Sequence, residues 1–293
     1  MQKVVVFGAS GLVGSRFLDL HKDDFEIVAP EHNAVDFTNP QQVKELLEIE
    51  KPEVVLNCAA VTNVEGSEDE KDDKEGPTYK VNSQAVKELA ETCRELKIHL
   101  IHISTEYVFD GTKAGPYAEW DVPNPINWYG QTKYFAEEFI KQSEASYTIV
   151  RISMPFAAKF EAKKDIARTF LSRLQEKLEI SAIADSEICP TFTDYIANAL
   201  KVLIDKKPSG IYHCTSTDAT TPFDFAGQIA KIFGLTTELI KETTIEEYGK
   251  NKKARLLKNS AMSSDKFIAE FGEGILNNLE DSLKEFEKQI SVD

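Results

Sequence analysis

Long apolar runs are missing from this sequence of 293 residues. No stretch approaches the roughly 20 consecutive apolar residues that a membrane-spanning helix requires. The first residues, Met1-Gln2-Lys3, lead directly into a strand-like segment, without the apolar core and small-residue cleavage site of a signal peptide. We therefore expect no membrane partner and a cytoplasmic location.

Basic residues are also in the minority. Lys and Arg number 34 against 49 Asp and Glu, which gives a formal net charge of −15. A chain of this charge repels a polyphosphate backbone. Nucleic acid is therefore not expected as a partner.

Cysteine is scarce, and no pair has the CxxC spacing of a metal or redox site. The four cysteines, Cys58, Cys93, Cys189 and Cys214, are scattered among apolar or small neighbours. They are typical of small buried residues in a reducing compartment. Because neither Cys58 nor Cys214, which follows His213, has a paired second ligand, no metal site is predicted.

Linkers rich in Pro or Ser and internal repeats are absent as well, so independent domains are not expected. The one biased segment, residues 65–75, is strongly acidic. Its composition predicts a solvated loop, with an acidic docking site as the alternative.

Strand-like and helix-like segments alternate along the chain. This order predicts an α/β protein with a Rossmann-type, doubly wound parallel sheet and a smaller C-terminal substrate-binding lobe. We expect an NAD(P)-binding domain over residues 1–150 and mainly the substrate lobe over 151–293, with about 190–215 returning to the sheet. The expected strands are 3–7, 26–29, 53–58, 99–104, 148–152 and 211–214. After the first helix, one is expected to open at Asn39-Pro40 and to carry Val43, Leu46 and Leu47, and others are expected near 82–96, 166–178, 194–204, 223–233 and 275–290.

A glycine turn follows the first expected strand. In such a turn, backbone N–H groups and the positive end of the next helix face a pyrophosphate, and glycine permits its close approach. The spacing is GxxGxxG, a variant that resembles the short-chain dehydrogenase/reductase superfamily. The turn predicts binding of NADPH or NADH through Gly8, Ser10, Gly11, Leu12, Val13 and Gly14.

A tyrosine and a lysine four residues apart, Tyr129 and Lys133, are expected on one face of a helix. Tyr248 and Lys252 repeat this spacing in a charged stretch, so spacing alone does not select a site. Context favours the first pair, because a strand ending near Thr105 precedes it by one loop. Thr105 is therefore expected to face Tyr129 across the mouth of the sheet.

These three residues suit carbonyl reduction. A tyrosine has an ordinary pKa of about 10, and a nearby ammonium such as that of Lys133 favours its phenolate. Tyr129 would give a proton to a carbonyl oxygen as hydride reaches the carbon, and the Thr105 hydroxyl would hydrogen-bond the same oxygen. Thr105, Tyr129 and Lys133 are therefore the predicted catalytic residues.

Residues 101–133 belong to a longer pattern that also includes Val81-Asn82 and Cys189-Pro190-Thr191. This pattern resembles the dTDP-4-dehydrorhamnose reductase family of extended short-chain dehydrogenases/reductases, and the likeness is densest over residues 101–133. Two further segments resemble the family's cofactor contacts, and they add Asp36, Phe37, Cys58, Ala59 and Ala60 to the glycine turn, with Tyr129 and Lys133 reaching the same cofactor.

The resemblance implies reduction of the 4-keto group of a dTDP-linked 6-deoxy sugar, with a homodimer as a possible assembly. Substrate contacts are expected from Thr105, Glu106, Met154 and Arg255. This sequence departs from the family at three of these places. Glu106 replaces the usual aspartate, Met154 stands where many members have an aromatic residue, and no proline follows Arg255.

Alternatives to the reductase remain at this stage. The family also resembles the non-catalytic regulatory subunit associated with methionine adenosyltransferase, which retains a dinucleotide pocket. A nucleotide-sugar epimerase or dehydratase would use the same cofactor, although Tyr107 follows Glu106 where dehydratases commonly have an Asp-Glu pair. The preference for NADH or NADPH also stays open, since Glu31 suits a ribose hydroxyl whereas His32 suits a 2′-phosphate.

Overall fold

The chain folds as strands and helices in alternation. We analysed a computed structural model that describes residues 1–291. The strands are β1 (Lys3–Phe7), β2 (Glu26–Val28), β3 (Val54–Asn57), β4 (His99–Thr105), β5 (Tyr147–Ile152), β6 (Pro155–Phe156), β7 (Ile180–Ile183), β8 (Thr191–Phe192), β9 (Gly210–His213) and β10 (Ile240–Thr243). No helix in this part of the chain is both long and apolar enough to cross a membrane.

The helices connect these strands and cover the sheet. They are α1 (Leu12–His21), α2 (Pro40–Glu50), α3 (Val64–Ser67), α4 (Pro77–Tyr79), α5 (Ala85–Leu96), α6 (Trp128–Gln142), α7 (Ile166–Gln175), α8 (Thr193–Lys206), α9 (Pro222–Ile232), α10 (Ile245–Gly249), α11 (Asp265–Phe271) and α12 (Leu279–Ile290). Local sequence explains where α2 begins. The Asn39 side chain accepts from the N–H groups of Gln41 and Gln42, and Pro40 occupies the first turn, where its missing N–H costs nothing.

One parallel sheet organises the molecule. Its strand order is β2-β1-β3-β4-β5-β9. The order reverses between β1 and β3, and the crevice outside the carboxyl ends of strands at such a point is where doubly wound sheets bind ligands. The predicted α/β class and Rossmann-type sheet are confirmed.

The two faces of the sheet differ in polarity. One face packs α1 and α8 onto apolar side chains such as Val4, Val6 and Leu56. The other face is apolar beneath α2 and α5, where Val55 and Leu100 lie, and beneath the end of α6, where Ile140 joins the same core. Beneath the earlier part of α6 it carries buried polar side chains such as His102 and Arg151.

A smaller lobe is built from the later elements. Two short parallel pairs, β7 with β10 and β6 with β8, pack with α7, α9 and α12 around a separate aromatic and aliphatic core. The strands of these pairs have two or four residues each, and the sequence analysis did not predict them. The last helix begins at Leu279 instead of near 275, because Asn278 caps it by accepting from the N–H of Asp281.

The acidic segment 65–75 is an exposed loop only over residues 71–75, so the prediction of a solvated loop was wrong for residues 65–70. It begins inside α3 and continues into a 3₁₀ turn over Glu68–Glu70. Glu65 accepts from the backbone N–H of Lys253, while Glu68 accepts from the N–H of Trp128 at 2.5 Å. Several of its carboxylates therefore accept hydrogen bonds from backbone N–H groups, and one of these N–H groups belongs to the first residue of α6.

Candidate active site

The glycine turn between β1 and α1 is tightly folded. Gly8 has φ +74°, and a Cβ there would lie 2.5 Å from the backbone nitrogen of Ala59. A Cβ on Gly14 would lie 2.3 Å from the carbonyl oxygen of Gly8. Gly11 precedes α1 and provides no side-chain cap, so the first N–H groups of this helix stay available to a ligand.

A cavity of about 500 Å³ opens beside this turn, at the carboxyl ends of the central strands. Its walls come from residues 11–14, from the loop after β3, from residues 103–107, and from the segment that runs from the end of β5 to the start of α7. Tyr129 and Lys133 also line it. The glycine turn and the predicted catalytic residues therefore share one cavity.

The start of α6 positions the tyrosine. Asn127 caps the helix by accepting from the N–H of Gly130 at 2.8 Å. A Cβ on Gly130 would lie 2.1 Å from the carbonyl oxygen of Tyr107, so glycine allows the helix to approach this loop closely. The Tyr107 ring meets the Tyr129 ring edge to face, with centroids 5.8 Å apart. Tyr129 is 8% exposed.

Thr105 ends β4 and faces the same cavity. Its hydroxyl donates to Glu106 at 2.7 Å and accepts from the N–H of Tyr107 at 3.3 Å. Burial raises the pKa of Glu106, although the hydrogen bond from Thr105 opposes this. Burial, followed by the charge of Glu106, also raises the pKa of Tyr129, and a hydrogen bond with Thr105 lowers it by less. The tyrosine is therefore a protonated phenol at neutral pH.

The amine of Lys133 is directed towards the sheet. Its Nζ lies 2.6 Å from the carbonyl oxygen of Ile103 and 3.0 Å from Nε2 of His102. The side chain is 2% exposed, and burial lowers its pKa to about 8. An ammonium acting on the tyrosine was predicted from the sequence, whereas in the structure the partners of the amine lie on β4.

A buried ion pair lies one helical turn further along α6. Glu137 accepts from Arg151 on β5 through both carboxylate oxygens, at 2.9 and 2.6 Å, and from the Ser104 hydroxyl at 2.6 Å. Nε2 of His213 lies 3.4 Å from the guanidinium of Arg151. This bidentate pair fixes α6 against the sheet at the level of residue 137.

The remaining predicted site residues are distributed unevenly. Met154 lines the cavity with a strained backbone at φ +38°. Asp36 and Phe37 lie in the connection between β2 and α2. The Asp36 carboxylate accepts from Thr38, and the centre of the Phe37 ring lies 5.1 Å from that of Phe7.

Arg255 is exposed, and its carbonyl oxygen accepts from the Asn127 side chain. Cys58 and Ala60 line the cavity, and Ala59 packs against Gly8.

Neither His102 nor Asn57 was predicted as a site residue from the sequence. Both are fully buried, and they are paired in register on adjacent strands. Strand alternation could have revealed His102, because it shares a face with Ser104, two residues further along β4. A histidine on the strand face that packs against the helix carrying Lys133 could have indicated a contact with this lysine.

Comparison with known proteins identifies the family. The family model described as RmlD substrate binding domain matches residues 1–291. The chain belongs to this family. A relative named dTDP-4-dehydrorhamnose reductase, from Burkholderia thailandensis, is 32% identical over 237 residues, which are 78% of this chain and 77% of that protein. The family resemblance stated above is therefore confirmed.

Solved structures agree along almost the whole chain. A dTDP-4-dehydrorhamnose reductase from Clostridium acetobutylicum superimposes with a TM-score of 0.90 at 29% identity, covering 99% of this chain and 100% of that one. A dTDP-4-dehydrorhamnose reductase from Bacillus anthracis, solved in complex with NADP, gives a TM-score of 0.89 at 27% identity and covers 98% and 99% of the two chains.

Proposed function

We propose that this protein is an NAD(P)H-dependent reductase of the 4-keto group of a nucleotide-linked 6-deoxy sugar. The observation that carries the proposal is one cavity that holds Thr105, Tyr129 and Lys133 beside the glycine turn. Relatives named dTDP-4-dehydrorhamnose reductase support this choice of substrate. The four cysteines are free, as suits a cytosolic enzyme.

The residues of the turn fit a dinucleotide. Gly11 lines the cavity at the N-terminus of α1, and a Cβ there would lie 3.2 Å from its nearest neighbour, the Gly8 carbonyl oxygen. A side chain beyond that Cβ would occupy space that a pyrophosphate needs, beside N–H groups that are free to bind it. Gly8 and Gly14 keep the turn compact, and Tyr129 and Lys133 would reach the nicotinamide end.

The substrate would enter from the side of the smaller lobe. Lys163 and Lys164 line the cavity from the segment between β6 and α7, and both are exposed. Cations at the mouth of a site suit the diphosphate of a nucleotide sugar. Glu106 and Met154 lie deeper and would contact the sugar. The cofactor would then lie mainly against residues 1–150 and the substrate mainly against 151–293, with Thr105 and Glu106 as contributions of the first part to the substrate.

The geometry supports a direct reduction. The bound cofactor would supply hydride to the carbonyl carbon of the sugar. Tyr129, held as a protonated phenol, would donate its proton to the carbonyl oxygen, and the O–H bond of the tyrosine would break as that of the product forms. The Thr105 hydroxyl would exchange its bond to Glu106 for a bond to the same oxygen, which stabilises the developing negative charge.

The test is oxidation of NADH and NADPH by the purified chain against a panel of nucleotide-linked keto-sugars. We expect turnover with a dTDP-linked 4-keto-6-deoxy sugar, and loss of turnover when its keto group is already reduced. Tight dinucleotide binding without turnover of any keto-sugar would instead favour a regulatory protein that retains the pocket.

A further inference from the structure

One carboxylate of the acidic segment 65–75 binds the helix that carries Tyr129. Glu68 lies in the 3₁₀ turn that follows α3, and its Oε1 accepts from the backbone N–H of Trp128 at 2.5 Å, 60 positions away in the sequence. Trp128 is the first residue of α6, and Tyr129 is the second. Glu68 therefore provides an acceptor for one of the N–H groups that the first turn of a helix leaves unpaired, and its negative charge lies at the positive end of the helix dipole.

The chain that leads into α6 does not by itself fix where the helix begins. Residues 109–127, all of which the structure describes, reach α6 as a loop after the short turn that follows β4. Asn127 ends this loop and caps α6 through the N–H of Gly130, but it belongs to the same stretch of chain and moves with the helix. Glu68 comes from the connection between β3 and α5. It therefore fixes the start of α6 relative to a separate part of the fold.

The turn that carries Glu68 rests on buried polar contacts. The Ser67 hydroxyl donates to the carbonyl oxygen of Asn63 at 2.8 Å, and the Thr78 hydroxyl donates to Ser67 Oγ at 3.3 Å. Ser67 and Thr78 are 1% and 0% exposed. Glu70 also accepts from the backbone N–H of Thr78, at 2.8 Å. Because these contacts tie the turn to the start of α4, buried neighbours define where the Glu68 carboxylate lies.

The same segment also contacts the cavity and a distant part of the chain. Val64, the first residue of α3, lines the cavity. Glu65 accepts from the backbone N–H groups of residues 253–254, at 2.7 and 3.3 Å. The side chain of Asn127, at the start of α6, donates to the carbonyl oxygen of Arg255 at 3.1 Å. The start of α6 is therefore held on two sides, by Glu68 and by the segment that Glu65 binds.

We propose that Glu68 is a positioning residue, which holds the start of α6 so that the Tyr129 hydroxyl faces the Thr105 hydroxyl in the cavity. Its effect on catalysis rests on the proposed reduction, in which Tyr129 donates a proton. Tyr129 directly follows the residue whose N–H group Glu68 binds, so a shift of the helix start moves the phenol with it. A misplacement of about 1 Å at a reacting group can lower a rate on the order of 100-fold.

Replacement of Glu68 separates positioning from cofactor binding. Glu68→Ala removes the acceptor, whereas Glu68→Gln keeps an oxygen that can accept from the N–H of Trp128. In the full chain, kcat for a dTDP-linked 4-keto-6-deoxy sugar should fall by about 10- to 100-fold with Glu68→Ala, and by no more than about threefold with Glu68→Gln. Dinucleotide affinity measured by calorimetry should be unchanged in both, because the glycine turn is untouched. The stoichiometry of that titration gives the concentration of folded sites to which kcat is referred.

Asp69→Asn is the matched control. Asp69 is the next residue and also carries a carboxylate, but it pairs with the exposed ammonium of Lys253 and not with α6. Its replacement should leave kcat unchanged, and a loss equal to that of Glu68→Ala would overturn the proposal by showing that the charge of the segment sets the rate.

Failure of the positioning role is distinguishable from failure of the proposed reduction. Wild-type kcat in a folded Glu68→Ala protein would overturn the role of Glu68 alone, whereas a wild type that reduces no keto-sugar would overturn the reduction together with that role. If Glu68→Ala does not fold, Glu68→Asp replaces it. This variant keeps the charge but draws the carboxylate back by one methylene group, so kcat should fall by about tenfold. Wild-type kcat in Glu68→Asp would then overturn the proposal.

The start of α6 can also be observed without any substrate. The chain has two tryptophans, of which Trp128 is 3% exposed and Trp120 is 78% exposed. In a Trp120→Phe background, fluorescence therefore reports on the residue that Glu68 binds. We expect Glu68→Ala to shift the emission of Trp128 to longer wavelength and to increase its quenching by acrylamide, while Glu68→Gln and Asp69→Asn stay close to the parent. Unchanged emission and quenching in Glu68→Ala would overturn the anchoring of α6, whatever the kinetics.

Discussion

Two tyrosine–lysine pairs with the same spacing meet different surroundings. Tyr129 and Lys133 lie on the 15-residue helix α6, with 8% and 2% of their surfaces exposed. Tyr248 is 43% exposed and lies on the five-residue helix α10, which ends before Lys252. There the ammonium rests 5.4 Å from the centre of the tyrosine ring. Identical spacing therefore produces a buried pair in a cavity and a surface cation–π contact.

The difference lies in what the fold places behind each pair. Behind Lys133 are a strand end, a buried imidazole and an ion pair, each of which restricts the protonation or position of a side chain. The second pair is exposed, so water and salt screen the charge of Lys252. A Tyr-x-x-x-Lys pattern is thus informative only together with the strand that precedes it.

The largest effect is expected from removing the hydroxyl of the buried tyrosine. Tyr129→Phe keeps the ring and its contact with Tyr107 but deletes the proposed proton donor. The rate of reduction should fall by about two to four orders of magnitude, the usual contribution of a positioned general acid, with dinucleotide affinity retained. Steady-state NAD(P)H oxidation and calorimetry measure the two quantities. Tyr248→Phe is the control. A comparable loss of activity in this variant would show that Tyr129 is not the proton donor.

Breaking the buried ion pair between Glu137 and Arg151 should lower the free energy of unfolding. Burial raises the pKa of Glu137, but the charge and hydrogen bonds of Arg151 outweigh it, so the pKa is lowered overall. Its stabilisation is therefore present above the ordinary glutamate pKa and is lost as pH falls through the lower value in the folded state. Glu137→Gln leaves a buried guanidinium without its counter-charge, which should lower the free energy of unfolding by about 3–5 kcal/mol near neutral pH.

The adjacent residue provides the control for this loss. Glu138 forms a pair with Lys141 in which about a third of each side chain is exposed, so Glu138→Gln should change the free energy of unfolding by no more than about 1 kcal/mol. Urea denaturation of both variants measures the difference. Equal losses would show that burial of the pair does not decide its contribution.

A smaller effect is expected at the glycine turn, where the pyrophosphate of the cofactor would bind. Gly14→Val would bring a branched side chain against the Gly8 carbonyl oxygen, and relieving such a clash commonly costs about 1–3 kcal/mol. If the turn opens to relieve it, dinucleotide affinity should fall by roughly 10- to 100-fold. Gly11→Val should weaken binding by blocking the phosphate. Gly227→Ala lies on α9, where the added Cβ would meet nothing outside its own helix backbone within 4 Å, and it should leave calorimetric affinity unchanged.

The smallest effect concerns Arg255, which the sequence analysis placed at the substrate. Its side chain is exposed and lies outside the residues that line the cavity, so any contact with a diphosphate is made at the rim. Arg255→Ala should raise the substrate KM by a few fold through loss of a solvated cation, with dinucleotide affinity unchanged. An unaltered KM would remove this arginine from the substrate site.

The sheet and the Tyr129–Lys133 pair could be predicted because the sequence patterns that indicate them are local. Apolar β-branched runs predicted β1 and β3, the glycine turn gave the start of α1, and Asn39-Pro40 gave the start of α2. Tyr129 and Lys133 share a helix, so their proximity followed from helical spacing alone. These features depend on residues that are neighbours in the chain.

Contacts between segments that are far apart in the sequence could not be predicted in the same way. The two-residue strands β6 and β8 exist because they pair with each other, and nothing within either segment distinguishes it from a loop. Glu65 and Glu68 resemble a solvated charge run until their partners, the N–H groups of Lys253 and Trp128, are known. The contact of His102 with Asn57 depends on the register between β3 and β4, which one sequence does not specify.

Transfer of a labelled hydrogen tests the account most directly. The wild-type chain would be incubated with a dTDP-linked 4-keto-6-deoxy sugar and NADH or NADPH that carries deuterium at C4 of the nicotinamide, in separate reactions for each face. NMR and mass spectrometry of the sugar should find deuterium at its C4 carbon with wild type and with Tyr248→Phe, and almost none in the same time with Tyr129→Phe. A sugar that gains no deuterium from wild type under any of these conditions, or that gains it equally with Tyr129→Phe, would contradict the assignment of the buried pair as the reducing site.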